Sequence, residues 1–110
     1  MKQPPRPVKR KQNGHRWRQL VARVKAEETH CALCGKHVDL TLPHLDPRAP
    51  AVDHIIPVAR GGPEYDRANL TLMCRACNRW KSTLTLDEAR AKLTGLSAVK
   101  VKPIEASPGW

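Results

Sequence analysis

The chain has 110 residues, 20 Lys and Arg against 10 Asp and Glu, a formal net charge of +10, four cysteines, and only four aromatic residues, three Trp and one Tyr with no Phe. That length allows one domain, and so few aromatics leave a thin core that needs a staple. The charge points to a polyanionic partner, most simply nucleic acid. No run approaches the roughly 18 apolar residues of a membrane span, and the basic start has no apolar stretch behind it to form a signal peptide. The reading is a soluble, reduced, cytoplasmic protein.

In chain order, residues 1–14 open as a basic arm. The first twelve, MKQPPRPVKRKQ, carry five positive charges, three prolines and no acid, so the arm is expected to be disordered. Trp17, Leu20, Val21 and Val24 then fall at i, i+3, i+4 and i+7, which predicts a helix over about 15–28 with an apolar core face. CALC follows, with Cys31, Cys34 and then Gly35. Ala51 to Ile55 reads as a strand and Leu70 to Met73 as a second, with a Pro- and Gly-rich loop from Pro57 to Asn69 between them. CRAC places Cys74 and Cys77 at the head of a short helix over Arg75–Ser82. Thr85 and Glu88 form a capping-box pattern that opens a last helix to about Leu93, with Gly95 as its stop. Residues 15–97 make the domain, and 98–110 a flexible tail.

Two Cys-x-x-Cys pairs offer four thiolates to one ion, the tetrahedral set that zinc prefers. Gly35 suits the tight turn, where a positive φ is wanted. A redox motif needs only one pair, in a βαβ setting that is absent, and disulfides do not fit the missing secretion signal. The 39 residues between the pairs exceed ordinary zinc-finger spacing, so something is inserted between the two knuckles.

That insertion carries VDHIIPVARGG, residues 52–62. A metal-dependent phosphodiesterase needs hard oxygen ligands, a base near neutral pH and cations for phosphate. Asp53 offers an oxygen and His54 a base. As strand neighbours they point to opposite faces, so a bulge or strand end must bring both to one site. Fourteen residues separate His54 from Asn69, and eight separate Asn69 from Asn78. Asn78 neighbours Cys77 on the short helix, where a step of about 100° lets Cys77 face zinc while Asn78 faces the strand of Asp53.

DHIIP, the Gly-Gly loop, Asn69 at that gap and CRACN-x-x-K together resemble an HNH endonuclease, from about Cys31 to Ser82. Leu42-Pro43, the spaced Pro47 and Pro50, and both cysteine pairs resemble the small stand-alone phage and bacterial members. The resemblance implies an α+β fold, a ββα-metal core stapled by the four-cysteine zinc site and flanked by helices. It implies His54 as the catalytic general base and Asn69 as the second catalytic-signature residue, bracing the loop and orienting the base. Asp53 and Asn78 then hold a catalytic magnesium or manganese ion, and Asn at the third position makes this an H-N-N variant. It implies hydrolysis of DNA to 5′-phosphate and 3′-hydroxyl ends, and a phage terminase as partner in DNA packaging. Arg60, Arg75, Arg79 and Lys81 surround the expected site and are the candidate phosphate contacts. Weak sequence preference, nicking and a monomeric state are expected.

Two other readings stand beside this one. A zinc-stapled nucleic-acid-binding module without catalysis explains charge and cysteines, but gives Asp53, His54 and Asn78 no reason to coincide. An HNH-type ribonuclease or toxin uses the same core, because the metal site acts on phosphate and not on the base. His15, His30, His37 and His44 are read as non-catalytic, and Trp80 as core rather than as a base-stacking platform.

Overall fold

The computed structural model describes the backbone of residues 6–101 and the side chains of residues 14–95. The elements run α1 (Arg6–Glu27), β1 (Pro50–His54), β2 (Leu70–Cys74), α2 (Arg75–Lys81) and α3 (Leu86–Val101). Single 3₁₀ turns at Val58–Arg60 and Arg67–Asn69 shape the loop between the strands. β1 and β2 pair antiparallel, Pro50 opposite Cys74 and His54 opposite Leu70. The fold is α+β, one two-stranded sheet with three helices and a cysteine cluster, compatible with a ββα-metal core.

A two-stranded hairpin is at best marginal in water, so the sheet must be covered. Every residue of β2 is buried, whereas every residue of β1 is only partly covered. The unbroken run LTLMC therefore reads as a strand enclosed on both faces. Val24 of α1 packs with Leu70, Leu72, Met73, Cys31, Cys74 and Val38, with Trp17 and Leu20 partly buried against that cluster. The apolar stripe expected on the first helix is thus the core face.

Glu28, just past α1, ties the helix to the sheet. Its Oε1 accepts from the Leu72 N–H and the Thr71 hydroxyl, both at 2.9 Å, and its Oε2 meets Arg67 at 2.8 Å. At the other end of β2, the N–H groups of Arg75 and Ala76 donate to the carbonyls of Ala49 and Pro47 at 2.8 and 2.9 Å. Two orphan donors of the α2 N-terminus are thereby satisfied by the segment that leads into β1. Pro50 starts β1 at a position where a missing N–H is tolerated.

Two boundaries differ from expectation. α1 begins at Arg6, about nine residues before the expected start at 15, so 6–14 of the segment read as a disordered arm is helical backbone; residues 1–5 lie outside the described residues. Lys, Arg and Gln are good helix formers, and Pro7 falls in the first turn, where its missing N–H matters least. α3 passes through Gly95 to Val101 rather than stopping near Leu93, which takes in the first residues of the expected tail; residues 102–110 lie outside the described residues. Gly95 keeps a negative φ, and an isolated helical glycine costs only about 1 kcal/mol. The capping box forms as expected: the Glu88 N–H donates to Thr85 Oγ1 at 3.1 Å, and the Thr85 N–H to Glu88 Oε1 at 3.0 Å.

Burial pushes the Glu28 carboxyl up, but the Leu72 N–H, Arg67 and Thr71 together outweigh it and hold the pKa below the ordinary 4.5. A depressed folded pKa means that this carboxylate stabilises the fold above about 4.5 and loses that contribution as pH falls through its folded value. Glu28→Gln should cost toward the lower end of about 1.5–3 kcal/mol at neutral pH, the worth of hydrogen bonds to a charged group. Urea unfolding on both sides of pH 4.5 should show a shallower acid limb in the variant than in the wild type.

Candidate active site

The first knuckle forms at Cys31–Cys34. The Leu33 and Cys34 N–H groups donate to Cys31 Sγ at 3.4 Å, and Gly35 closes the turn with φ 77°. The Ala32 N–H donates to the Leu72 carbonyl at 2.9 Å, which docks the knuckle on β2. β2 then ends at Cys74, and α2 brings Cys77 round. The four Sγ atoms lie within 4.8 Å of one another. A zinc ion with Zn–S bonds of about 2.3 Å sets its sulfurs about 3.8 Å apart, so this cluster is of the right size to close on one ion.

Arg48, which sequence reasoning passed over, lies against this cluster. Its Nη1 donates to Cys74 Sγ at 3.5 Å and reaches Cys34 Sγ at 3.8 Å. Burial raises the Cys34 pKa, but the Lys36 N–H, the Arg48 guanidinium and the neighbouring thiols bring it down from 9.0 to about 6. Burial and the adjacent sulfurs push Cys77 the other way. The cluster thus already holds negative charge near neutrality, as a metal site must.

The Asp53–His54 pair sits at the end of β1, where a strand end was required. His54 Nε2 is 3.0 Å from the Glu64 carbonyl oxygen. A carbonyl only accepts, so Nε2 carries the proton and Nδ1 keeps its lone pair. The ring stacks on Trp17 of α1, centroids 5.4 Å apart and planes at 24°. Trp17 had been assigned to the core stripe alone; its second contact has no mark in the sequence.

Asn69 builds the loop that presents Glu64. Its Oδ1 accepts from the Ile56 N–H at 2.9 Å, and its Nδ2 donates to the carbonyls of Ile56 and Pro63 at 2.9 and 3.0 Å. With 7% exposure and these three bonds made, Asn69 is a brace and does not face solvent. Gly62 lets the loop close: a Cβ there would lie 1.9 Å from the Ile56 carbonyl oxygen and 2.9 Å from Asn69 Nδ2. Gly61 takes φ 95° beside it. The double glycine thus meets two different demands, a left-handed turn and a close approach.

Asp53 faces the other way, toward α2. Its carboxylate, 19% exposed, meets the Lys81 ammonium at 2.8 Å. Lys81 is 0% exposed and also donates to the His54 carbonyl at 3.0 Å. Asn78 lies three residues before Lys81 on the same face of α2. The ammonium meets Asp53 Oδ2 without hydrogen-bond geometry, so this buried oxygen is compensated by charge alone. A carboxylate and an amide are hard oxygen donors of the kind that hold a divalent cation, and Asp53 and Asn78 would be its ligands.

The expected phosphate contacts fare differently. Lys81 is buried in the Asp53 pair and cannot present its charge to a ligand; the CRACN-x-x-K motif was read for charge, where its i, i+3 spacing from Asn78 marks the inward face. Arg60 is forked onto Glu88, whose pKa it pulls down from 4.5 to about 2. Arg75 reaches the Leu45 carbonyl at 3.4 Å, and Arg79 is exposed. Trp80 is 43% exposed rather than core. The inward positions of the seven-residue α2 are taken by Cys77, Asn78 and Lys81, which leaves the indole half-covered beside Leu33 and Leu93.

An antiparallel strand pair, a following helix and a loop-braced histidine, stapled by four thiols, define a small nuclease domain of the ββα-metal class. Residues 31–84 match the model of the HNH endonuclease family, and the four cysteines of this segment are placed to form a metal site, as in the type with paired cysteine knuckles. No curated protein and no solved structure gives a match to the chain. HNH domains act on nucleic acids and use a divalent metal, and among the described residues no helix is long and apolar enough to cross a membrane.

Two outcomes follow from this geometry. One zinc per chain should be seen by native mass spectrometry, and replacing any of Cys31, Cys34, Cys74 or Cys77 should destabilise by several kcal/mol, because metal binding in such a domain is folding free energy. Lys81→Met keeps the aliphatic stem but strands Asp53. It should cost toward the lower end of about 3–5 kcal/mol, since Asp53 retains some solvent, and Asp53→Asn in the same chain should recover part of the loss. Equal urea midpoints for Lys81→Met and wild type would show that the ion pair contributes nothing.

Proposed function

We propose that the chain is a metal-dependent DNA endonuclease in which His54 is the general base. The observation that carries this reading is the Glu64 carbonyl at 3.0 Å from Nε2, which leaves Nδ1 of His54 as a free proton acceptor beside Asp53 on the chain. His54 takes a proton from water as the water oxygen bonds to phosphorus. The bond from phosphorus to the 3′ oxygen breaks, that oxygen gains a proton from solvent, and 5′-phosphate and 3′-hydroxyl ends result. Asp53 and Asn78 would hold a magnesium or manganese ion, which would supply Lewis acidity when bound; two hard oxygen donors suit these ions better than zinc. Asn69 and Gly62 hold the loop that orients the base, and Lys81 holds the Asp53 carboxylate. A phage terminase is the partner in this reading, on the strength of the resemblance to small phage members.

His54→Ala should lower cleavage of supercoiled plasmid by about 10²- to 10⁴-fold while manganese binding, followed by calorimetry, persists. Asp53→Ala should weaken manganese binding and regain some activity at high metal. Wild-type nicking by His54→Ala would overturn the assignment of the base. Cleavage of RNA and not of plasmid would move the substrate class, and cleavage of neither would leave a binding module.

A further inference from the structure

The domain needs a surface that leads a phosphate backbone to His54, and of the four cations first expected there Arg60 is held by Glu88 and Lys81 is buried, while Arg75 reaches the Leu45 carbonyl and Arg79 stays exposed on α2. Arg67 is held by Glu27 and Glu28, and Arg48 by the thiols. α1 offers another set. Arg16, Gln19, Leu20 and Arg23 line a cleft of about 460 Å³. They fall at i, i+3, i+4 and i+7, so they form one helix face. Arg23 pairs with Glu27 at 3.7 Å, with both side chains about half exposed, and such a pair exchanges readily for another anion.

This face adjoins the base. Trp17, the residue after Arg16, stacks on His54. The Arg16 guanidinium lies 4.8 Å from the centroid of Tyr65, the residue after Glu64, whose carbonyl orients His54. One end of the cleft is therefore pinned to both neighbours of the catalytic imidazole. α1 also lies outside the segment that matches the HNH family, so that match does not assign this face a role.

We propose that the α1 face bearing Arg16, Gln19 and Arg23 is the docking site for the phosphate backbone of the DNA strand that is cut. Arg16 and Arg23 are seven residues apart, about 10.5 Å along a helix, a span long enough for the two guanidinium groups to meet different phosphates of one strand. They engage separate phosphates of that strand, with Gln19 as a neutral donor between them, and the strand passes His54 at the Arg16 end. Contacts to phosphate position the strand without reading its sequence.

The inference rests on the proposed nuclease activity, and the test separates the two. Binding of a short labelled DNA duplex is followed by anisotropy across a salt series, with wild-type protein and no added magnesium or manganese. Arg16→Gln/Arg23→Gln should lower the slope of log K against log salt by about 2, equivalent to roughly 50-fold weaker binding near 0.1 M salt. Lys36→Gln/Lys92→Gln removes the same charge from exposed positions elsewhere and should leave the slope nearly unchanged. With metal added, the arginine variant should raise KM and keep kcat at saturating DNA. Thermal melts establish that both double variants fold. An unchanged slope in the arginine variant, or an equal drop in the lysine variant, overturns the docking site whether or not the protein cleaves. A lowered slope in a protein that cuts nothing supports the docking site and refutes the nuclease reading.

Discussion

Closure of the chain from Cys31 to Cys77 onto one point is the constraint on which the rest of this domain depends. The entropy of closing a loop grows only slowly with its length, so the long insertion between the knuckles adds little to the cost of closure. What closure delivers is position. β2 must end where α2 begins, because Cys74 and Cys77 belong to one turn of chain, and the first knuckle is docked on β2 through Ala32 and Leu72. With β2 held there and α1 laid across it, the short β1 has one place to pair, and its last two residues arrive at the site. A domain with so few aromatic side chains could not hold a two-stranded sheet by burial alone.

The site itself works through opposed demands on Asp53. A partly covered carboxylate is poor material for a core, and a lysine with no exposed surface is poorer still. Each is tolerable because the other is present. The ammonium fixes where the carboxylate points and, through the His54 carbonyl, fixes the backbone of the residue beside it. One buried cation therefore connects the Asp53 and the His54 sides of the strand end. Surface electrostatics follow a different logic: the arginines nearest the loop are neutralised by Glu27, Glu28 and Glu88.

Much of this was legible in the residues. The two cysteine pairs, the alternation of short apolar runs with Pro- and Gly-rich turns, and the Thr85–Glu88 cap each name a local geometry with few alternatives. Accordingly, both strands, α2 and the start of α3 fall within a residue or so of expectation. The ends of α1 and α3 did not follow. Prolines and charge suggested an arm, and a glycine suggested a stop, but Pro7 in a first turn and Gly95 at an open surface do little to stop a helix. Side-chain destinations were harder still. Lys81, Arg60 and Trp80 could be placed near the site by their position in the chain, yet whether a cation is buried, paired or free is decided by tertiary neighbours. Trp17 illustrates the same limit: periodicity identifies its face, and nothing local says that the face continues onto an imidazole.

The orientation of His54 by a main-chain oxygen carries a consequence for how that orientation is encoded. The Glu64 side chain has no part in that bond, so the position can change its chemical character without altering the imidazole tautomer. What must be inherited is the path of the loop: the number of residues between Pro57 and Asn69, and the glycine at 62 that lets it turn inward. A one-residue insertion in this loop would be a more damaging lesion than most substitutions at its exposed positions. The structural information in this stretch resides in spacing, where a survey of residue identities would record only a tolerant surface loop.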